Sequence, residues 1–367
     1  MKELLVRASH IPQKAMFPVI DGHNHIWGDW ESVGRIVETM GEVGVVSYCD
    51  LTSNLALKWA DGGYDFSPGN IDDFFIHCTN PYPAKFYGFT CATFNRPRNE
   101  PLFSDAERFV EETVELLNDH IRRGARGLKI LKELGLFYRD DRGRLMFMDD
   151  ERLAPIWEEA GRLGIPVLVH QSDPCGFFDP VMSENEHYET LRKYPAWSYV
   201  DSKFPRKEEL LERRDRVLKN HPNTTFMLPH VANFAENLEY VSKLLDDHPN
   251  VFIDFSARID ELGRQPYSAR DFLIAYQDRI TFGTDMPPSV EMYGCYFRFL
   301  ETFDEYFIPP DYDGTFGRFR WRIHGLGLPA EVLEKIYYRN ILRIVPGLKN
   351  DLKNVISSSQ RREEATS

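Results

Sequence analysis

Eight apolar, strand-like runs separated by helix-like segments fix what this chain can fold into. The runs cover 18–24, 44–50, 86–93, 125–131, 165–170, 224–229, 251–256 and 279–284. Several are continuously apolar, as parallel strands buried on both faces require. Helix signals fill the gaps between them. Ser104 and Glu107 have capping-box spacing ahead of Val110, Val114, Leu117 and Ile121, and Gly124 is placed to end that helix. Asp149 is a candidate cap for a second helix, which presents Leu153, Ile156, Trp157, Ala160 and Leu163 on one face before Gly164. A third helix runs through ENLEYVSKLL, near 236–245. Strand and helix alternating eight times predict a single α/β domain of the (β/α)8 TIM-barrel type, about 250 residues in its usual form.

The chain has 367 residues, so loops must absorb the excess over that size. Two long insertions do so, at 52–85 and 171–223, the second with its own helical stretch KEELLERRDRVLKN. Both start where a strand ends, on the face of a barrel that carries catalysis. They read equally as walls of a pocket or as contacts between copies in a homo-oligomer. The barrel domain is expected over 1–348, and 349–367 reads as a polar tail.

Four of the runs end in ligand-type residues. His23 and His25 close the first run in FPVIDGHNHIW. His170 closes IPVLVH, His230 closes TTFMLPH and Asp285 closes RITFGTD. Residues two apart on a strand point the same way, so His23 and His25 face one spot. In a barrel all these ends meet at one mouth. Imidazole and carboxylate converging there point to one divalent metal. Asp21 reads as a structural hydrogen-bond acceptor beside the pair.

Composition narrows the partners. Hydrophobic residues make up 42% and charged residues 28%, the balance of a soluble globular enzyme. A formal net charge of −13 argues against nucleic acid or an anionic membrane as the main partner, which leaves a small-molecule substrate. The five cysteines are scattered and form no C-x-x-C pair, so reduced thiols in a cytoplasmic protein are expected. Cys49 and Cys91 lie in core-like runs, and Cys175 is a pocket candidate near His170. MKELLVRASHIPQK lacks a secretory apolar core, and no stretch is long enough to span a membrane.

The segments IDGHNHIW, ARGLKIL, VLVHQSDP, FMLPHVAN, ITFGTDMP and IYYRNILRIV resemble the amidohydrolase superfamily. The likeness is to its amidohydrolase-related group, which includes aminocarboxymuconate semialdehyde decarboxylase. The resemblance implies His23, His25, His170 and Asp285 as ligands of one ion, Zn2+ first, with Mn2+ or Fe2+ as alternatives. It implies His230 as an acid/base or oxyanion clamp, and Asp285 as the base as well as a ligand. Dinuclear members of the superfamily carry a carboxylated lysine where Lys129 stands. The G-x-K context favours a mononuclear site, with Lys129 binding a substrate anion or forming an internal salt bridge. Arg258 is a further candidate for a substrate carboxylate, with anchoring of Asp260 and Glu261 as the alternative. Trp27, Trp30, Phe177 and Phe178 are candidate pocket walls. The leading expectation is metal-dependent hydrolysis of an amide, ester or lactone. The alternatives are non-oxidative decarboxylation of an aromatic or unsaturated acid, and a non-catalytic metal- or ligand-binding barrel.

Overall fold

A computed structural model describes residues 11–60, 63–98, 100–309 and 321–356. The strands are β1 (Val19–Asn24), β2 (Val45–Asp50), β3 (Leu55–Ala60), β4 (Gly63–Pro68), β5 (Phe86–Thr90), β6 (Gly127–Ile130), β7 (Val167–Val169), β8 (Phe226–Leu228), β9 (Val251–Asp254) and β10 (Ile280–Thr281). Eight of them form one sheet in the order β1-β2-β5-β6-β7-β8-β9-β10. Each neighbouring pair along it is parallel. The ends meet through the Gly22 amide on the Phe282 carbonyl at 2.9 Å and the Asp285 amide on the His23 carbonyl at 2.8 Å. The eight runs read from the sequence are therefore the eight barrel strands, in chain order.

The last strand is shorter than its run, because the chain leaves regular geometry to approach β1. A Cβ on Gly283 would stand 2.6 Å from the His23 Cβ, so only glycine allows that approach.

The outer layer contains α1 (Val33–Val43), α2 (Ala106–Arg123), α3 (Ala154–Leu163), α4 (Lys207–Asn220), α5 (Leu238–Asp247), α6 (Pro266–Ala275) and α7 (Val290–Glu301). Two caps sit one residue later than their spacing suggested. Asp105, not Ser104, is the extended residue that accepts the Arg108 amide at the start of α2. Asp150, not Asp149, accepts the Arg152 amide ahead of α3, while Asp149 pairs with Arg213 and Arg216. Where two cap-type residues stand in a row, the backbone conformation chooses between them. Gly164 ends α3 in the left-handed conformation at φ +64°, as placed.

Both insertions prove smaller than read. The helix α4 buries Leu210, Leu211, Val217 and Leu218 and joins β7 to β8, so it belongs to the barrel layer. The added segment after β7 is 171–206. Between β2 and β5, the antiparallel hairpin β3–β4 is the addition. The helical turns that follow it, Ile71–Phe74 and Phe75–Thr79, bury Phe74 and Cys78 in the main core. The packing also continues past Lys349. Leu348–Asp351 is helical and Leu352 and Ile356 are buried, while residues 357–367 lie outside the described residues.

Two smaller apolar clusters beside the barrel core join the insertions to it. Leu136, Phe177, Leu191, Trp197, Tyr199 and Leu210 form one, and Leu55, Phe66, Cys91 and Leu131 form the other. The two meet where Trp59 approaches Tyr194 at 6.2 Å and Tyr64 approaches Trp197 at 6.4 Å between ring centroids. All five cysteines are free thiols. Cys175 does not line the central cavity, and burial lifts its thiol to about 12.

Candidate metal centre

The barrel mouth opens into a cavity of about 900 Å3. His25 enters it from the end of β1, His230 from just after β8 and Asp285 from the segment after β10, while His23 lies buried directly beneath them. The Nε2 of His25 lies 3.3 Å from Asp285 Oδ1, and those of His230 and His23 lie 3.6 and 3.8 Å from Asp285 Oδ2. Ligand-type atoms of His23, His230 and Asp285 all fall within 4.8 Å of one another. Backbone strain accompanies the convergence. His230, Val231 and Asp285 hold φ of 58°, 56° and 52°, a region non-glycine residues enter at a cost and keep mainly at functional sites.

The opposite edge of each imidazole is fixed. His23 Nδ1 lies 2.8 Å from Asp254 Oδ2, at the end of β9. His230 Nδ1 donates to the Ser256 carbonyl at 2.7 Å. His25 Nδ1 lies 3.0 Å from Thr52 Oγ1, whose own hydroxyl is turned toward Asp50. Carboxylate, carbonyl and committed hydroxyl are all acceptors here, so each proton sits on Nδ1. Every Nε2 therefore presents a lone pair toward the Asp285 carboxylate. The Nε2 atoms of His23 and His230 are buried without a hydrogen-bond partner among the described residues. Lone pairs facing a carboxylate repel unless a cation lies between them, so this donor set fits a divalent ion. Carboxylate–imidazole pairs such as Asp254–His23 orient metal ligands in this way.

Electrostatics agree. Burial pulls His25 down to about 3 and His170 down to about 4, so both are neutral at pH 7, the form that binds metal. Asp285 is the most exposed member of the group, with its side chain 25% exposed against 5% or less for the three histidines.

His170 lines the same cavity, and its ring lies 4.5 Å from that of His230. Its Nε2 is engaged by Asp173 Oδ1 at 3.2 Å, which leaves Nδ1 as the nitrogen it can offer an ion. Asp173 in turn meets Lys132 Nζ at 2.5 Å and the Tyr199 hydroxyl at 2.8 Å. Lys129 is fully buried at the end of β6, and its Nζ has no hydrogen-bond partner among the described residues. The salt-bridge reading of Lys129 is thereby corrected, since no carboxylate lies within ion-pair distance. Its ammonium is pulled down to about 8 by burial, against the attraction of Asp285 and Asp254. Trp27 stacks on His25 at 4.1 Å and on Phe66 at 5.9 Å, which makes it a wall of the site. Arg258 lines the cavity and donates to the Ala257 carbonyl, among Glu261 and Asp260. Phe177 lines the cavity, while Trp30 and Phe178 do not. Asp21 is the structural acceptor expected, taking hydrogen bonds from Thr284, Tyr293 and Asn24 and so tying β1 to the chain after β10.

Several supporting residues escaped the sequence reading. Asp254 ends the run VFID just as Asp285 ends ITFGTD, so its signal was present. Ser256, Thr52 and Lys132 carried no comparable signal, because their partners are distant in sequence, whereas Asp173 stands three residues after its partner His170.

A parallel barrel with imidazoles and a carboxylate gathered at the C-terminal ends of its strands defines the class of metal-dependent barrel enzymes. The family whose sequence profile matches is described as Amidohydrolase, over residues 90–347, and the chain belongs to that family. No curated protein matches the chain by sequence. Among solved structures, 2,6-dihydroxybenzoate decarboxylase from Rhizobium aligns at TM-score 0.51 and 14% identity, over 92% of this chain and 100% of that one. A manganese-containing dihydroxybenzoic acid decarboxylase from Polaromonas aligns at TM-score 0.51 and 13% identity, over 90% and 97%. A TIM-barrel protein from Bordetella bronchiseptica aligns at TM-score 0.51 and 18% identity, over 88% and 85%. At these identities the likeness is one of fold. No helix among the described residues is long and apolar enough to cross a membrane.

Proposed function

We propose that the protein is a metal-dependent hydrolase of a small-molecule amide, ester or lactone. The observation that carries this reading is the convergence of the His23, His25 and His230 Nε2 atoms on Asp285, the most exposed member of the group. His23, His25, His170 and Asp285 would hold one ion, with Zn2+ preferred over Mn2+ or Fe2+ for this donor set. The ion supplies Lewis acidity and lowers the pKa of the water it binds.

The chain's own residues do the rest. Asp285 accepts the proton of the nucleophile. His230 Nε2, 3.6 Å from Asp285 Oδ2 and with its Nδ1 held by Ser256, relays that proton to the leaving group. Lys129, an unmodified amine, sets a positive charge where an anionic group of the substrate binds. Trp27 and Phe66 exclude water from one side of His25.

A second reading is non-oxidative decarboxylation. The buried cation Lys129 in a cavity walled by Trp27, Tyr64, Phe66 and Trp197 favours it, because that combination suits an aromatic carboxylate. The test is elemental analysis of the purified protein followed by turnover in H2(18)O. About one equivalent of divalent metal and heavy oxygen in the product are expected. Release of CO2 without oxygen incorporation would establish the second reading, and a protein that takes up no metal would end both.

A further inference from the structure

A second polar group lines the same cavity, and the chemistry above does not use it. It consists of His187, from the 171–206 insertion, with Asp260 and Glu261, from the segment after β9. All three are at most 4% exposed. In each, one polar atom has no hydrogen-bond partner among the described residues: His187 Nε2, Asp260 Oδ2 and Glu261 Oε2. The Asp260 and Glu261 side chains also hydrogen-bond each other, and buried polar groups left only part-satisfied on one cavity call for a ligand.

The group is held in place. The His187 amide donates to Asn185 Oδ1 at 2.9 Å, and its ring lies edge-on to Phe177 at 5.3 Å. His187 Nε2 stands 3.9 Å from Glu261 Oε1. The Trp321 indole donates to the Asp260 carbonyl at 2.9 Å and fixes that turn.

Charge decides what kind of ligand fits. Arg258 stands in the same wall, within the field of Glu261, Asp260, Asp173 and Glu236. An anion entering here meets carboxyl groups, and a cation meets the guanidinium. A neutral hydroxyl both donates and accepts, so it can satisfy carboxyl oxygens and an imidazole nitrogen alike. Phe177 and Trp197, stacked at 6.2 Å between centroids, add apolar faces to the same cavity, suited to the C–H face of a ring.

We propose that His187, Asp260 and Glu261 bind hydroxyl groups of a neutral, polyhydroxylated small molecule, and that this lobe selects the carbonyl compound presented to Asp285. The selection clause rests on the hydrolase reading, whereas binding at the lobe is measurable without turnover.

The experiment is ligand-observed NMR titration of the protein as purified. The hydroxyl-rich probes are myo-inositol, methyl β-D-glucopyranoside and D-glucitol. Cyclohexanol serves as the hydroxyl-poor ring, benzylamine as the cation and benzoate as the anion. At least one hydroxyl-rich probe should bind, and cyclohexanol should not. Glu261→Leu should weaken that binding about tenfold, the effect of one buried hydrogen bond. Glu261→Gln, which keeps a neutral hydrogen-bonding group where burial and Asp260 raise the carboxyl well above its ordinary range, should retain it within about threefold. His187→Leu, on the insertion rather than the barrel, provides a second variant should Glu261→Leu fail to fold.

The proposal is overturned if no hydroxyl-rich probe binds, or if their binding is indifferent to the leucine variants. It is also overturned if benzylamine binds in their place and is lost in Glu261→Gln, or if benzoate does. Metal content measured on the same samples should be unchanged in Glu261→Leu. A wild-type protein without metal but with intact polyol binding would retire the hydrolase reading and leave the lobe standing.

Discussion

The floor and the wall of the cavity are built on different principles. On the floor, His23, His25, His230 and Asp285 project from strand ends, and each imidazole is locked at Nδ1 by a partner from a neighbouring strand or strand end. On the wall, Tyr64, Trp197, Phe177 and Lys132 come from loops and a hairpin, held mainly by ring contacts and buried ion pairs. Arg98 is typical of the wall. Its guanidinium lies over Tyr64 at 4.1 Å and Phe137 at 4.3 Å while it pairs with Glu133 at 2.7 Å. A ladder of parallel strands fixes ligand positions to a fraction of an ångström, as metal chemistry demands. Aromatic packing tolerates exchange of side chains, which suits the part of a site that selects substrates.

The contrast is broken most directly at the floor. Asp285→Ala should lose the bound metal and lower turnover by about 10⁴-fold, the upper end of what a catalytic proton acceptor contributes. Metal analysis beside steady-state kinetics checks both. If the variant keeps its metal and its rate, the floor is not the reaction centre.

His230→Asn separates ligation from proton transfer at the same place. Metal should stay near the wild-type level while kcat falls roughly 10²- to 10³-fold. Loss of half the metal would instead place His230 among the ligands of a two-ion site.

Asp254→Asn leaves every ligand in place and weakens only the partner of His23 Nδ1. Metal affinity should fall about 10- to 100-fold, the usual cost of losing such a partner, with the fold intact by circular dichroism.

Lys129→Met should retain metal and raise KM about tenfold for a substrate bearing an anionic group. The pH dependence has a defined sign. With its ammonium pulled down to about 8 by burial, Lys129 is charged below that pH and loses its charge above it. KM should therefore rise through pH 8 in the wild type and stay flat in the variant. A carboxylated Lys129 would show instead as bicarbonate-dependent reconstitution.

The smallest effect belongs to the outer wall. Trp59 is 57% exposed at the hairpin, near Tyr194. Trp59→Ala should change stability by no more than about 0.5 kcal/mol and KM by about threefold at most. A large loss of kcat here would mean that wall and floor are not separable.

Particular elements show how far the sequence could be read. The eight strands were legible because strands of a buried parallel sheet are largely apolar, several of them throughout. His23, His25, His230 and Asp285 were legible because polar residues ending such runs are conspicuous. Asp254 obeyed the same rule and could have been found by it. The hairpin β3–β4 was not recognised, although Leu55, Leu57 and Trp59 alternate with Ala56 and Lys58 and Tyr64 and Phe66 alternate with Asp65 and Ser67, because two short half-exposed strands lack the continuous apolar run of the barrel strands. The helix α4 was assigned to an insertion because its charged sequence hides four buried leucine and valine residues on one face.

What the sequence determined by itself was the barrel, its strand order and the residue types gathered at its mouth. These follow from hydrophobic periodicity and from the parallel connection of strand to helix, both local in origin. Only the tertiary structure decided which nitrogen of each histidine faces Asp285, that Lys129 has no ion-pair partner among the described residues, and that His187 joins Asp260 and Glu261. Those facts depend on contacts such as His23 with Asp254, 231 residues apart, whose geometry is set by barrel closure and leaves no local pattern in the chain.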